Sequence, residues 1–166
     1  MKLKYGKEEI QLPIQDKNII QILNSNKQKA LLYPENRLKN LLKNPINGPS
    51  LKDLVNQKKA KKILIVVNDI TRPTPYEVIL PPLLDELHQI GIKKENILLM
   101  VATGIHRSNS QEEIKEIFGE NIFSTYKFIN HDCDDSHLKD LGKLKSGNKL
   151  WVDPIVSDID FIITTG

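Results

Sequence analysis

The run Ile63-Leu-Ile-Val-Val67 constrains this chain more than any other stretch. Unbroken apolar character with β-branched residues is the pattern of a strand covered on both faces, which belongs in a parallel sheet. The run ends abruptly in Asn68-Asp69-Ile70-Thr71-Arg72-Pro73-Thr74-Pro75, a polar turn punctuated by proline. Open parallel sheets take their ligands beyond the carboxyl ends of their strands. The carboxylate, hydroxyl and guanidinium of that turn therefore stand where a ligand is expected.

The flanking segments supply the rest of such a sheet. Asn96–Ala102 is a second two-sided strand, ending in Thr103-Gly104-Ile105-His106-Arg107. Tyr126–Asn130 is a third, followed by His131-Asp132-Cys133-Asp134-Asp135, and Asp160–Thr165 is a fourth. Between the first two, Ile79, Leu80, Leu83, Leu84, Leu87 and Ile90 recur at helical spacing, with Gly91 closing the pattern. Pro81-Pro82 inside it predicts a kink or a division, and His88 falls off the apolar stripe. Ser110-Gln-Glu-Glu113 has capping-box spacing and opens a helix carrying Ile114, Ile117 and Phe118, which Gly119 ends.

Upstream, Leu3–Pro13 reads as a hairpin joined at Gly6-Lys7, and Asp16–Tyr33 is mixed, with Ile19, Ile20, Ile22 and Leu23 suggesting a short helix or strand. Pro34 begins a helix with Leu38, Leu41 and Leu42 on one face, and Ser50 caps another that carries Leu51, Leu54 and Val55. Downstream, Leu141 to Asn148 reads as a turn or hairpin and Leu150–Val152 as a short strand.

Strand, helix, strand, helix, strand predicts right-handed βαβ units. The expected fold is α/β, a Rossmann-like parallel sheet flanked by helices with an N-terminal β-hairpin, lacking the glycine fingerprint of dinucleotide binding. It is expected as one domain over residues 1–166, with the hairpin in 1–15 and the βαβ core in 63–166.

Parallel strands bring their following loops to one edge, so Asp69, Thr71 and Arg72 should face Thr103, Gly104, His106 and Arg107, with His131, Asp132 and the 164–166 end nearby. Asp69 and Arg72 could address an anion at the next helix N-terminus, or Asp69 could cap that helix with Arg72 on the surface. Only three of the 24 cationic residues are arginines. Two of them follow strands, where a rigid fork suits carboxylate or phosphate. His106 is the natural acid/base residue near neutral pH, and Gly104 frees backbone N–H groups beside it. His131-Asp-Cys-Asp-Asp135 packs three metal-ligand types together, but adjacent loop residues seldom converge on one ion and no established ligand spacing is present. No metal site is expected there, and His137 is expected to be solvent-exposed.

A net charge of +3, from lysines scattered over the chain without aromatic platforms, gives no case for nucleic acid. One cysteine, Cys133, excludes an internal disulfide and fits a reducing compartment. No apolar run reaches the roughly 20 residues of a membrane helix. The charged N-terminus lacks a signal-peptide core, so a cytoplasmic location is expected.

Taken together, Asn68-Asp69-Ile-Thr-Arg72-Pro73-Thr-Pro75 and Val101-Ala-Thr-Gly104-Ile-His106-Arg107 resemble the N-terminal half of the nickel-pincer lactate racemase family. Tyr5-Gly6-Lys7, Leu42-Lys-Asn-Pro45-Ile, Ile79-Leu-Pro-Pro-Leu-Leu84 and Asn130-His131-Asp132 extend the likeness over nearly the whole chain. The resemblance implies an isomerase that inverts the hydroxyl-bearing carbon of a 2-hydroxy acid, with a nickel-pincer nucleotide removing and returning a hydride. It implies His106 as one of two acid/base histidines, with Asp69 and Arg72 near cofactor and substrate. Arg72 would then fork either a substrate carboxylate or the cofactor phosphate. Thr71, Thr103, Gly104 and Arg107 are further binding candidates.

The family's second histidine, its cofactor-bearing lysine and its nickel-ligating histidine match no residue here. The expectation is an N-terminal domain that awaits a C-terminal partner domain and is inactive alone. A stand-alone module binding a phosphorylated small molecule, and an epimerase of a larger hydroxy acid, remain open at this point, as does the oligomeric state.

Overall fold

In the computed structural model the Ile63–Asn68 run is one of the two inner strands of a four-stranded parallel sheet. Residues 1–6 and 8–166 are described, and Lys7 of the expected hairpin turn lies outside them. Numbered along the chain, the strands are β1 (Lys2–Tyr5), β2 (Glu8–Gln11), β3 (Ile63–Asn68), β4 (Ile97–Ala102), β5 (Lys127–Asn130), β6 (Lys139–Lys143), β7 (Lys149–Val152) and β8 (Phe161–Thr164). The helices are α1 (Pro34–Lys43), α2 (Leu51–Lys58), α3 (Tyr76–Gln89), α4 (Gln111–Phe118) and α5 (Glu120–Thr125). The sheet order is β5-β4-β3-β8. Ile63 pairs with Ile97 on one side and Phe161 on the other.

Residues 1–32 and 33–166 form two compact units. In the larger one, Ile63, Ile65 and Val67 of β3 and Ile97, Leu99 and Val101 of β4 share a core with Val55, Leu80, Leu84, Leu87, Ile114, Phe118 and Ile122 from α2 to α5. Those strand residues alternate, so they lie on one face. The chain steps outward from β3 to β4 to β5 through crossovers of one hand, which puts α3, α4 and α5 on the same side of the sheet. Leu64 and Met100 on the opposite face are buried as well. This is the two-sided covering that the apolar runs predicted.

The local signals act as expected at most helix ends. Ser50 Oγ accepts from Asp53 N at 3.1 Å and starts α2. Ser110 Oγ accepts from Glu113 N at 3.2 Å while Ser110 N donates to Glu113 Oε2 at 2.9 Å, a complete capping box. Two readings are corrected. Pro81-Pro82 do not divide α3, because the missing donors fall in its second turn, where buried Leu80, Pro82, Leu83, Leu84 and Leu87 hold it against the core. Beyond a short 3-10 turn at Asp16–Asn18, residues 19–33 form no regular element.

His88 lies on the surface of α3, within hydrogen-bond distance of Ile92 O (2.8 Å) and the Tyr126 hydroxyl (2.7 Å). β6 and β7 make the expected antiparallel hairpin. In the smaller unit β1 and β2 pair antiparallel, Leu3 opposite Ile10, and Leu12 N closes onto Met1 O at 2.8 Å. No described helix is long and apolar enough to cross a membrane.

Candidate functional site

All four strands of the sheet run the same way, so the turns after β3 and β4 open at one edge. A polar cleft of about 370 Å³ lies there. Asn68, Asp69 and Arg72 line it from β3, and Ala102, Thr103, Gly104, Ile105 and His106 line it from β4. Gly104 adopts φ +59°, a left-handed conformation natural to glycine, and His106 N closes the turn by donating to Thr103 O at 2.9 Å. The turn lifts the imidazole toward β3.

His106 Nδ1 stands 2.7 Å from Asp69 Oδ2, and the other carboxylate oxygen accepts from Thr71 Oγ1 at 2.7 Å. Asp69 is only 4% exposed, whereas the His106 side chain is 48% exposed. Burial pushes the Asp69 carboxyl upward, but the hydrogen bonds from His106 and Thr71 outweigh it and hold the group below its ordinary value. An ionised carboxylate can only accept, so Nδ1 must be the donor. The neutral ring then keeps Nε2 as its acceptor, the nitrogen that Asp69 does not use. Asp69 therefore does not cap α3, which begins without any side-chain cap. The pair fixes a tautomer.

Beneath this pair runs a chain of hydrogen bonds that the sequence reading missed. Asn68 N donates to the Tyr76 hydroxyl at 2.5 Å, and that hydroxyl lies 3.1 Å from Thr165 Oγ1, which donates to Val66 O at 2.9 Å. Tyr76 is fully buried, and its ring lies 4.8 Å from that of Phe118. Asn68 Nδ2 donates to Thr74 Oγ1 at 2.7 Å. Gly166 lies so close to this amide that an added Cβ would sit 3.0 Å from Asn68 Nδ2. β3, the start of α3 and the end of β8 are thereby fastened together under the cleft. An aromatic in a first helical turn is an ordinary core residue by pattern, and only the fold shows what its hydroxyl meets.

The remaining candidates divide. Arg72 lines the cleft, and its guanidinium has no ion pair among the described residues. Thr103 is buried and its hydroxyl donates to His131 O at 2.5 Å, so it braces the loop. Thr71 reaches the site through Asp69. Arg107 is not brought to the cleft: it forks Glu113 at 2.8 and 2.6 Å. That contact holds the Glu113 carboxyl down at about 2. His131 faces Asp153 at 3.9 Å, and neither it nor Asp132 lines the cleft. Ligand atoms of Asp132, Cys133 and Asp134 lie within 4.8 Å of one another, and Asp132 Oδ1 already accepts from Asp134 N at 2.9 Å. His137 is exposed beside Asp135.

Fold and cleft define a class: an α/β domain with a carboxylate-oriented imidazole, and a guanidinium that has no ion pair among the described residues, at the edge where parallel sheets take ligands. Comparison with known proteins narrows it. Residues 5–166 match the family model described as lactate racemase N-terminal domain, and the chain belongs to that family. It is 34% identical over 169 residues to the lactate racemase of Thermoanaerobacterium thermosaccharolyticum, covering 100% of this chain and 39% of that protein. The lactate racemase of Lactiplantibacillus plantarum is 32% identical over 169 residues, with 99% and 39% covered. The structure of the lactate racemase apoprotein from T. thermosaccharolyticum superposes with a TM-score of 0.77 at 33% identity, covering 98% of this chain and 37% of that one. A Thermotoga maritima protein shares the fold at a TM-score of 0.59 and 23% identity, covering 78% and 32%. The chain thus spans about two fifths of the length of the curated relatives it matches.

Proposed function

We propose that this chain is the N-terminal domain of a lactate racemase-like enzyme that inverts the α-carbon of a 2-hydroxy acid, and that it supplies one wall of the active site. The observation that carries this reading is His106 oriented by buried Asp69 beside Arg72, which lines the same cleft. In it, Nε2 of His106 takes the hydroxyl proton of one enantiomer as its α-carbon gives up a hydride and flattens to a keto acid, and protonates that oxygen when the same enantiomer is re-formed. Asp69 keeps Nδ1 protonated and stabilises the imidazolium formed at that moment. Inversion needs a second face. The opposing acid/base histidine that the family resemblance implies would have to come from outside these 166 residues.

The residues present fit the nickel-pincer nucleotide in part. Arg72 offers a fork for a phosphate or carboxylate with no ion pair among the described residues, and apart from its chain neighbours no described residue lies within 4 Å of where a Cβ on Gly104 would stand, so an anionic group can approach the backbone. For nickel itself the cleft offers one imidazole nitrogen, and neither the lysine that tethers the cofactor in the family nor its nickel-ligating histidine matches a residue here. Arg72 and the Gly104 turn would hold the anionic end, while tether and metal ligand would come from the rest of the protein. When bound, the group supplies a reversible hydride acceptor.

The test is racemisation of one enantiomer of α-deuterated lactate by the full-length, cofactor-loaded protein. The reading expects a racemate that keeps its deuterium, because the hydrogen leaves and returns as hydride. Absence of inversion, or loss of deuterium to solvent, would overturn it.

A further inference from the structure

The loop that carries His106 runs from Thr103 to Ser110, eight residues between β4 and α4. Its ends are anchored to the sheet, but the half that follows His106 leaves the strand and needs a fastening of its own. Arg107 and Ser110 turn toward Glu113 of α4. Between them Asn109 is 5% exposed, and its backbone is held by one residue. Asn109 N donates to Asn130 Oδ1 at 3.0 Å, and Asn130 Nδ2 donates to Asn109 O at 3.1 Å. The side-chain amide of Asn130, at the last position of β5, thus acts as a surrogate peptide group and gives the loop a two-bond bridge to the sheet edge. The side chain of Asn109 takes no part, and its Nδ2 is buried with no hydrogen-bond partner among the described residues.

We infer that Asn130 is a positioning residue: by clamping the backbone of Asn109 it holds the 103–110 loop in the conformation that seats His106 on Asp69. The inference rests on the reading of His106 as the proton-handling group. Thr103 fastens the loop before His106, through its hydroxyl bond to His131 O, and Asn130 fastens it after. Both partners sit at the end of β5, so the third strand sets the position of a side chain that reaches the cleft from the second. With the later clamp removed, the loop keeps its capping box and its attachment to β4, but it loses one of the two side-chain anchors that join it to the end of β5.

The experiment compares Asn130→Ala, Asn130→Asp and Asn109→Ala in this 166-residue chain by ¹⁵N NMR of the imidazole tautomer, with hydrogen exchange of the Asn109 amide. Asn130→Ala should exchange that amide at least tenfold faster and convert His106 from the Nδ1–H form to a mixture of tautomers, with the β3 and β4 resonances unchanged. Asn109→Ala should leave His106 as in the wild type, because the clamp uses only the backbone there. Asn130→Asp keeps the acceptor and loses the donor, so its shift should be intermediate. If Asn130→Ala does not fold, Asn130→Asp decides. A His106 tautomer unchanged in the folded Asn130 variant, or equally disturbed by Asn109→Ala, overturns the inference. These readings need no substrate, so the clamp can stand even where racemisation assays go against a role for His106.

Discussion

Replacing Tyr76 by Phe removes a single oxygen from beneath the cleft, and the structure sets what that should cost. The ring stays, with its contact to Phe118 at 4.8 Å, so no cavity opens. What disappears is the acceptor for Asn68 N at 2.5 Å and the neighbour of Thr165 Oγ1 at 3.1 Å. Thr165 Oγ1 retains its bond to Val66 O. Asn68 N is left without an acceptor, since β8 pairs with β3 only as far as Val66 and cannot supply one. A fully buried donor deprived of its partner costs about 1–3 kcal/mol, and for half-buried Asn68 we expect about 1 kcal/mol. For a chain of this size that corresponds to a fall of roughly 2–4 °C in Tm. Urea unfolding followed by circular dichroism measures it, with Tyr126→Phe as the control, because among the described residues that hydroxyl bonds only the exposed His88. A loss below about 0.5 kcal/mol in Tyr76→Phe would show that the hydroxyl does not tie β3 to α3, and the account of the cleft floor would fail.

Three further outcomes follow from the same contacts. Ser110→Ala removes the cap from α4 and should lower stability by about 1 kcal/mol in the same urea assay. Asp69 ionises more readily in the folded chain than its ordinary value of 3.8, so the stability it contributes is full above that value and is lost as the pH falls through the lowered one. Urea midpoints from pH 6 to pH 2 should therefore fall more steeply in the wild type than in Asp69→Asn, and parallel curves would contradict the pairing. Glu113, lowered from 4.5 to about 2 chiefly by Arg107, should lose its contribution over that range, so Glu113→Gln should be less stable than wild type at pH 7 and indistinguishable below about pH 2.

What could be read in advance had a local cause. β3 and β4 were legible because two-sided burial leaves no room for polar alternation, and the bounds of β3 came out as Ile63–Asn68. The capping box at Ser110 was legible because four residues contain the whole device. α5 was missed: it is six residues long, starts at Gly119 with no capping side chain, and buries only Ile122. The cleft was legible at the level of loops, since parallel strands oblige Asp69, Arg72, Gly104 and His106 to share an edge. Side-chain pairing was not. Arg107 stands one residue from His106 yet turns to Glu113, and Tyr76 reaches Thr165, 89 residues away. Asn130 clamps a backbone 21 positions upstream. Such contacts depend on how elements pack, which no short window of sequence records.

The central claim is that His106, held by Asp69, moves the hydroxyl proton during inversion of a 2-hydroxy acid. Its most direct test is the interconversion rate of L- and D-lactate by the full-length, cofactor-loaded protein carrying His106→Ala, measured by chiral chromatography beside the wild type. Losing a positioned acid/base group should slow inversion about 10²–10⁴-fold while the fold is retained. A rate equal to the wild type would remove His106 from the chemistry and contradict the account.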